Sequence, residues 1–338
     1  MDLREIALVT SQQVVWLAPV LLAIIAARAW AYYAIARFIA EKKKVLLEIR
    51  VPEDVSTAAR AMETILVSLH QMGRENNWYS RFIIGAVRPW FSLETVGDAG
   101  AVRFFIWLEE GYKDVVTAAI SSQYPTAEIH EVSDYTGEMP FDAHKSDMTM
   151  YGLECEKVPL DPLHMTAHGG RPSQEKSPTG VSQFLRSLNK GERVWVQILV
   201  RATRKQGNEK LCFDAGMRAL YFGNHTAFRQ SNISALVNVM TKRNVGGMSE
   251  YAPGKITSDT RYPWQDFRGM RRVFLAATLY NAYVRRNYFY PPHKRRSFIL
   301  TQEEIAALYN FSAGSAEISA IVNRNRSKKP EPPPNLPI

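Results

Sequence analysis

Cysteine is scarce: Cys155 and Cys212 are the only two among 338 residues. Two thiols can build neither a disulfide framework nor a four-thiolate zinc site, and they suit a reducing compartment as small apolar side chains. Long hydrophobic runs are scarce too. Only Val14 to Ala27 reaches fourteen residues without a charge, which excludes a multi-span transporter. The G-x-x-x-x-G-K-[ST] phosphate loop, the G-x-S-x-G elbow and the H-E-x-x-H pair are all missing, so P-loop nucleotide hydrolysis and the chemistries of the other two motifs have no support. The composition that remains is globular. Hydrophobic residues make up 46% and charged residues 22%, too apolar for a mainly disordered chain and sufficient for one or two packed cores.

A membrane span needs about 20 residues, so the run from Val14 to Ala27 must extend. Forward it passes Arg28 and takes in Trp30, Tyr32 and Tyr33, an aromatic belt; backward it takes in Thr10, Ser11, Gln12 and Gln13. We expect one span over about residues 12–36, with Arg28 toward an interface where its charge costs least. Arg37, Lys42, Lys43 and Lys44 follow it, whereas Arg4 before it stands between Asp2 and Glu5. That bias predicts a single-pass protein of the inner (cytoplasmic) membrane, amino terminus outside and body in the cytoplasm. A cleaved signal peptide and a buried core helix compete with this reading. Ala27-Arg28-Ala29 is formally a cleavage pattern, but the basic residues follow the apolar run instead of preceding it.

Charge divides the rest. Residues 41–150 hold 11 basic and 17 acidic side chains, and residues 151–338 hold 28 and 14, which suggests two domains with different partners. The periods in the first part predict a strand at Lys44–Val51, a helix at Thr57–Met72, strands at Phe91–Val96 and Ala101–Leu108 around the turn Gly97–Gly100, a helix at Tyr112–Tyr124 and a strand at Ala127–Val132. This is the ferredoxin-like β-α-β-β-α-β order. The second part repeats it with a strand at Met148–Cys155, a helix at Thr179–Leu188, strands at Arg193–Ala202 and Leu211–Phe222, and a helix at Ala227–Lys242. Its fourth strand is not evident, because residues 246–262 lack clean alternation. A helix at Arg268–Asn287, a strand at Ser297–Leu300 and a helix capped by Thr301 and Glu304 complete it. The expected fold class is therefore α+β: an amino-terminal tail and transmembrane helix (1–41), a ferredoxin-like unit (42–146), a second, basic one (147–310) with a long connecting loop at 156–178, and an extended Pro-rich tail (311–338).

Chemistry-bearing residues are few. His164 and His168 have the i, i+4 spacing of two ligands on one helix face, but Pro162 and Gly169-Gly170 disfavour a helix and no third ligand is evident. They are weak metal candidates, and no cofactor is expected. Cys155 has no identifiable His partner. Phe105 and Trp107 share a strand face, opposite Phe104; these, with Trp195 and Phe213, are expected to be core and not base-stacking platforms. The basic cluster is more informative: Arg268, Arg271, Arg272, Arg285, Arg286, Lys294, Arg295 and Arg296, with Tyr288, Phe289 and Tyr290 interleaved. Such a patch suits DNA, RNA, anionic lipid or an acidic protein surface; a solvated face is the plain alternative.

Several stretches together resemble a known family: KVLLEIRVPE, AMETILVSLHQ, RPWFSLETVGDAGAVRFFIWLEEGYKDVVTAAISSQYPTAEIHEVSDY, RVWVQILVRA, and NAYVRRNYFYPPHKRRSFILTQEEIAALYNF with EPPPNLP. They are similar to an uncharacterised membrane-anchored domain family of candidate phyla radiation bacteria, related to the region ahead of type IV secretion or conjugative coupling-protein-like ATPases. The resemblance spans nearly the whole chain. Fused relatives continue into the motor where this sequence ends at Ile338, so it implies association with a secretion or DNA-transfer apparatus without ATPase activity. No catalytic residue carries over. The expected partners are the bilayer, a coupling ATPase or channel subunits, DNA, and a second copy in a homo-oligomer. A non-enzymatic scaffold or adaptor follows as the expected function. A membrane-tethered nucleic-acid-binding protein and an enzyme with an unfamiliar site are the alternatives.

Overall fold

A computed structural model describes residues 3–51, 58–71, 77–142, 148–157, 179–203, 211–224, 226–241, 251–256, 264, 266, 269–309 and 311. His164, His168, Arg268 and the Pro-rich tail beyond Phe311 lie outside the described residues, as does the connecting loop from residue 158 onward. Its first two expected residues, Glu156 and Lys157, belong to a strand instead.

Helix α1 spans Leu3–Glu41. Its stretch Ala18–Glu41 is long and apolar enough to cross a membrane, a property signal sequences share. The helix is not a buried core helix: Val20, Leu21, Leu22, Ile24 and Ile25 are all exposed.

The chain then builds β1 (Lys44–Arg50), α2 (Ala58–Gln71), β2 (Phe91–Asp98), β3 (Ala101–Glu109), α3 (Lys113–Gln123) and β4 (Glu128–Val132). The second half gives β5 (Met148–Lys157), α4 (Thr179–Arg186), β6 (Glu192–Ala202), β7 (Cys212–Asn224), α5 (Gln230–Thr241) and β8 (Tyr251–Ile256). After these come α6 (Met270–Val284), β9 (Phe298–Thr301) and α7 (Gln302–Leu308). All pairings are antiparallel, in the order β4-β1-β3-β2-β6-β7-β5-β8, with β9 beside the start of β7. Each half therefore has the internal order fourth-first-third-second. The halves join where β2 pairs with β6 from Phe91↔Val200 to Asp98↔Arg193.

Two departures from the sequence expectation have local causes. The β2–β3 turn is only Ala99-Gly100, both at positive φ, the two-residue type I′ geometry whose twist matches the flanking strands. Gly97 and Asp98 belong to β2 instead. The missing fourth strand is β8. Its alternation is hidden by Pro253 and Gly254, which sit where the register slips between Glu154 and Cys155. Edge strands tolerate proline because one row of N–H groups has no partner.

The sheet has two covered faces. Alternate residues such as Leu47, Leu93, Ile106, Val196 and Ala219 pack under α2, α3, α4, α5 and α7. The opposite residues, among them Leu46, Phe105, Trp195 and Phe222, pack under α6 with Tyr135 and Met139. A strap, residues 285–297, continues from α6 across this second face toward β9, laying Tyr288 and Phe289 on Leu199 and Trp90.

Candidate functional site

The second face carries a row of polar side chains where apolar ones are the rule. Register partners place Glu94 on β2 beside Gln197 on β6, Gln197 beside Arg218 on β7, and Arg218 beside Glu154 on β5. All four are buried, and buried charge requires paired, hydrogen-bonded partners. Glu94 has them. Its Oε1 accepts from Ser92 Oγ at 2.6 Å, Gln197 Nε2 at 2.8 Å and Arg286 Nε at 2.9 Å. Its Oε2 accepts from Tyr135 OH at 2.8 Å and Arg286 Nη2 at 3.1 Å. Tyr135 has one proton and gives it to Glu94, so Tyr283 donates to Tyr135 across 2.8 Å. Burial, then the Glu94 charge, pushes both phenols well above their ordinary pKa.

Arg286 reaches this site from the end of α6. Its φ is +48°. The Arg286 N–H bonds Tyr283 O at 2.9 Å and the Asn287 N–H bonds Ala282 O at 3.1 Å, the paired bonds of a Schellman motif that usually places glycine here. The guanidinium also bonds Asp134, Nη1 to Oδ2 and Nη2 to Oδ1. Burial acts against the Arg286 charge, but the Glu94 carboxylate and the bonds to Asp134 outweigh it and hold the group well above its usual range. Trp90 Nε1 donates to Arg286 O at 2.9 Å.

The other end of the row is less saturated. Arg218 Nη2 donates to Asn287 O at 2.8 Å, and Arg295 Nε donates to Glu154 Oε2 at 3.1 Å. Burial draws the Arg218 pKa down, with the Glu154 charge pulling it back. Arg218 Nε and Nη1, Gln197 Oε1 and Glu154 Oε1 are buried without a protein partner among the described residues. Donors flanked on both sides by acceptors suit a bridging water and not an anion, which the two oxygens would repel.

The structure divides the expected basic patch. Arg286 is buried on Glu94 and Asp134 and is unavailable to a partner, and Arg295 is committed to Glu154. Arg271, Arg272, Arg285, Lys294 and Arg296 are exposed. Arg271 and Arg272 share the outer surface of α6 with exposed Met270 and Phe274. Tyr288 and Phe289 are core and not stacking platforms; Phe104, Phe105, Trp195 and Phe213 are buried as expected, with Trp107 half-buried. Cys155 is buried, and burial and then the Glu154 charge push its thiol up to about 12, which favours the protonated form over the reactive thiolate. No group of three or more His, Cys, Asp or Glu could hold a metal among the described residues.

The row connects to the foot of α1. Lys44 stands 4.8 Å from the Trp90 ring and 5.3 Å from the Trp107 ring, with Glu109 at 3.1 Å. Lys42 also reaches Glu109, and Lys43 reaches Glu110. Tyr290 packs on Trp90, and its hydroxyl accepts from the Arg88 N–H at 3.1 Å. Ile39 of α1 lies against this cluster. Helix end, strap and buried carboxylate thus form one connected body. Sequence reasoning missed Glu94, Gln197, Arg218 and Glu154. The signal was a lone polar residue at an inward position of an otherwise apolar strand face.

No protein-family model and no curated protein matches the chain. Among solved structures, 6-hydroxy-D-nicotine oxidase from Arthrobacter nicotinovorans is similar at a TM-score of 0.30 and 14% identity, covering 72% of this chain and 53% of that one. An anthrone oxidase-like protein gives a TM-score of 0.16 and 9% identity, covering 64% and 94%. The chain thus spans about half the length of the first, and neither likeness carries an argument about fold or activity.

Proposed function

We propose that the chain is a membrane-anchored, non-catalytic adaptor whose body, two ferredoxin-like units joined edge to edge, stands on the cytoplasmic face of the inner membrane. The contrast between α1 and its body carries this reading. Leu22 is 65% exposed on an apolar helix, with Val20, Leu21, Ile24 and Ile25 exposed beside it, whereas most of the body's large apolar side chains lie on the two covered faces of the sheet. A lipid phase removes that mismatch, since a helix satisfies its own backbone there. The strand order of each half is that of the split β-α-β fold. Orientation follows from Arg37 and Lys42 to Lys44. The pairing of Arg37 with Glu41, of Lys42 and Lys44 with Glu109 and of Lys43 with Glu110 does not weaken it, because the rule counts Lys and Arg and not net charge. A Glu94 saturated by donors supports a structural and not a catalytic role.

The partner surface in this reading is the outside of α6, where Met270 and Phe274 stand among Arg271 and Arg272. Aromatic and arginine side chains dominate protein interface hot spots. The family resemblance directs that surface to a motor ATPase or channel subunit of a type IV secretion-like or conjugative apparatus. A nucleic-acid reading is favoured by one observation, the exposure of Arg285, Lys294 and Arg296 at the carboxyl end of α6 and on the strap that follows it. The test holds the full chain in nanodiscs and measures DNA retention against salt beside capture of the coupling ATPase. The adaptor reading expects ATPase capture that Phe274→Asp abolishes. DNA binding that weakens steeply with salt, its slope reduced by about one per phosphate contact removed in Arg271→Ala and Arg272→Ala, without ATPase capture, would replace it.

A further inference from the structure

A short π-helical turn, Ser80–Ile84, follows Trp78 and Tyr79 between α2 and β2. Its apolar side chains point outward: Trp78 is 72% exposed, and Tyr79, Phe82, Ile83 and Ile84 are exposed with it. Such a concentration of large apolar side chains on a surface marks a contact with something other than water. The turn is held against α1. Gly85 closes it at φ +73° with its N–H on Ser80 O. A Cβ at Gly85 would run into the carbonyl of Ala34 and come within 2.6 Å of Ile35 N, so backbone meets backbone there. Ala34 is the buried residue of α1 at this contact.

The position along α1 identifies what covers the turn. Ala34 lies inside the apolar stretch Ala18–Glu41. It is seven residues before Glu41, about 10 Å along the axis at about 1.5 Å per residue. The turn is therefore level with exposed Trp30, Tyr32 and Tyr33 of α1 and displaced from Lys42, Lys43 and Lys44 toward the apolar end. Trp and Tyr concentrate at the headgroup boundary, where an apolar body and a polar tip are both satisfied.

We infer that the Trp78–Ile84 turn is a second membrane-contact element that inserts its exposed side chains into the interfacial layer of the same bilayer that α1 crosses. The partner is a lipid surface, chosen over protein because the turn is seated on α1 at Ala34, at the level of the exposed Trp30, Tyr32 and Tyr33 of that helix. This rests on the reading of α1 as a span. Two attachment points fix the body's tilt and rotation on the membrane, which a lone helix followed by a short connection does not.

The test uses the full chain with Cys212→Ser; Cys155 is buried and stays. Single fluorescent labels are placed at Ile83→Cys, at Ile25→Cys in the span and at Glu128→Cys on exposed β4. Each protein is reconstituted into phosphatidylcholine–phosphatidylglycerol vesicles containing phosphatidylcholine spin-labelled near the top of the acyl chain. Ile83 is exposed, so its replacement disturbs little packing. The inference expects loss of emission at positions 25 and 83, none at 128, and protection of 83 from aqueous iodide. Quenching at 25 with 83 behaving like 128 overturns the lipid contact while α1 stands. Protection of 83 from both quenchers means protein covers the turn and likewise overturns it. Quenching at 83 without 25 keeps the lipid contact and overturns the span, and quenching at neither overturns both.

Discussion

A carboxylate offers about four lone-pair positions, and Glu94 receives donors from Ser92, Tyr135, Gln197 and, twice, Arg286. Arg286→Met would strand this carboxylate in the interior and destabilise the protein by about 3–5 kcal/mol, because an uncompensated buried charge is left behind. Glu94→Leu together with Arg286→Met should recover much of that loss. Urea unfolding of the detergent-solubilised chain measures both, and equal stability of Arg286→Met and the parent would refute the pairing. Asp134 adds a pH dependence. Burial raises its pKa, but bonds and charge from Arg286, with Thr136, outweigh burial and hold it below the ordinary value. Its contribution is therefore complete above the unfolded pKa of about 4 and is lost as pH falls through the lower folded value. Asp134→Asn should flatten the acid limb of a stability-against-pH curve and leave its neutral limb parallel to the parent. These partnerships are invisible in sequence. Arg286 stands among basic neighbours and reads as surface, while its acid lies 192 positions earlier. By contrast, the capping box of Thr301 and Glu304 is local and was legible; both of its bonds are present.

At the scale of elements, period and turn chemistry made the strands and helices of the first half readable, because each buries one face and alternates accordingly. The elements that escaped depend on close approach. The π-helical turn has no amphipathic period, and only the seat of Gly85 on Ala34 explains its place. Gly85→Leu adds a side chain at positive φ directly over the α1 backbone, so the turn should leave its seat. The label at position 83 should then lose its lipid quenching while the label at position 25 keeps it. The strap depends on a second glycine. A Cβ on Gly216 would come within 2.5 Å of Tyr288 Cε2, so the ring lies flat on a bare strand. Gly216→Val should lift the strap and cost about 1–3 kcal/mol, as overpacking does. Thermal unfolding checks this, and an unchanged midpoint would contradict it.

Across the whole molecule, the charge asymmetry suggested two domains with different partners and left open how they pack; β2 and β6 pair over their length and make one sheet of the two halves. Antiparallel edge pairing leaves no trace in sequence, since each strand alternates the same way whether its edge is open or joined. One sheet predicts one cooperative unfolding transition, with coincident curves from tryptophan fluorescence and far-ultraviolet circular dichroism; two separated transitions would show that the seam does not couple the halves. The outer edges are guarded: β4 carries Glu128, His130 and Glu131, and β8 carries Pro253 and a bulge, devices that discourage further pairing. The central claim is that α1 stays in the bilayer and holds this body on the cytoplasmic side. Labelling of full-length protein in intact spheroplasts with a membrane-impermeant maleimide tests it most directly, using one added cysteine in the amino-terminal tail and one on β4. The account predicts that the tail labels before lysis and β4 only after it; labelling of β4 in unbroken spheroplasts, or a mature chain beginning near Ala29, would contradict it.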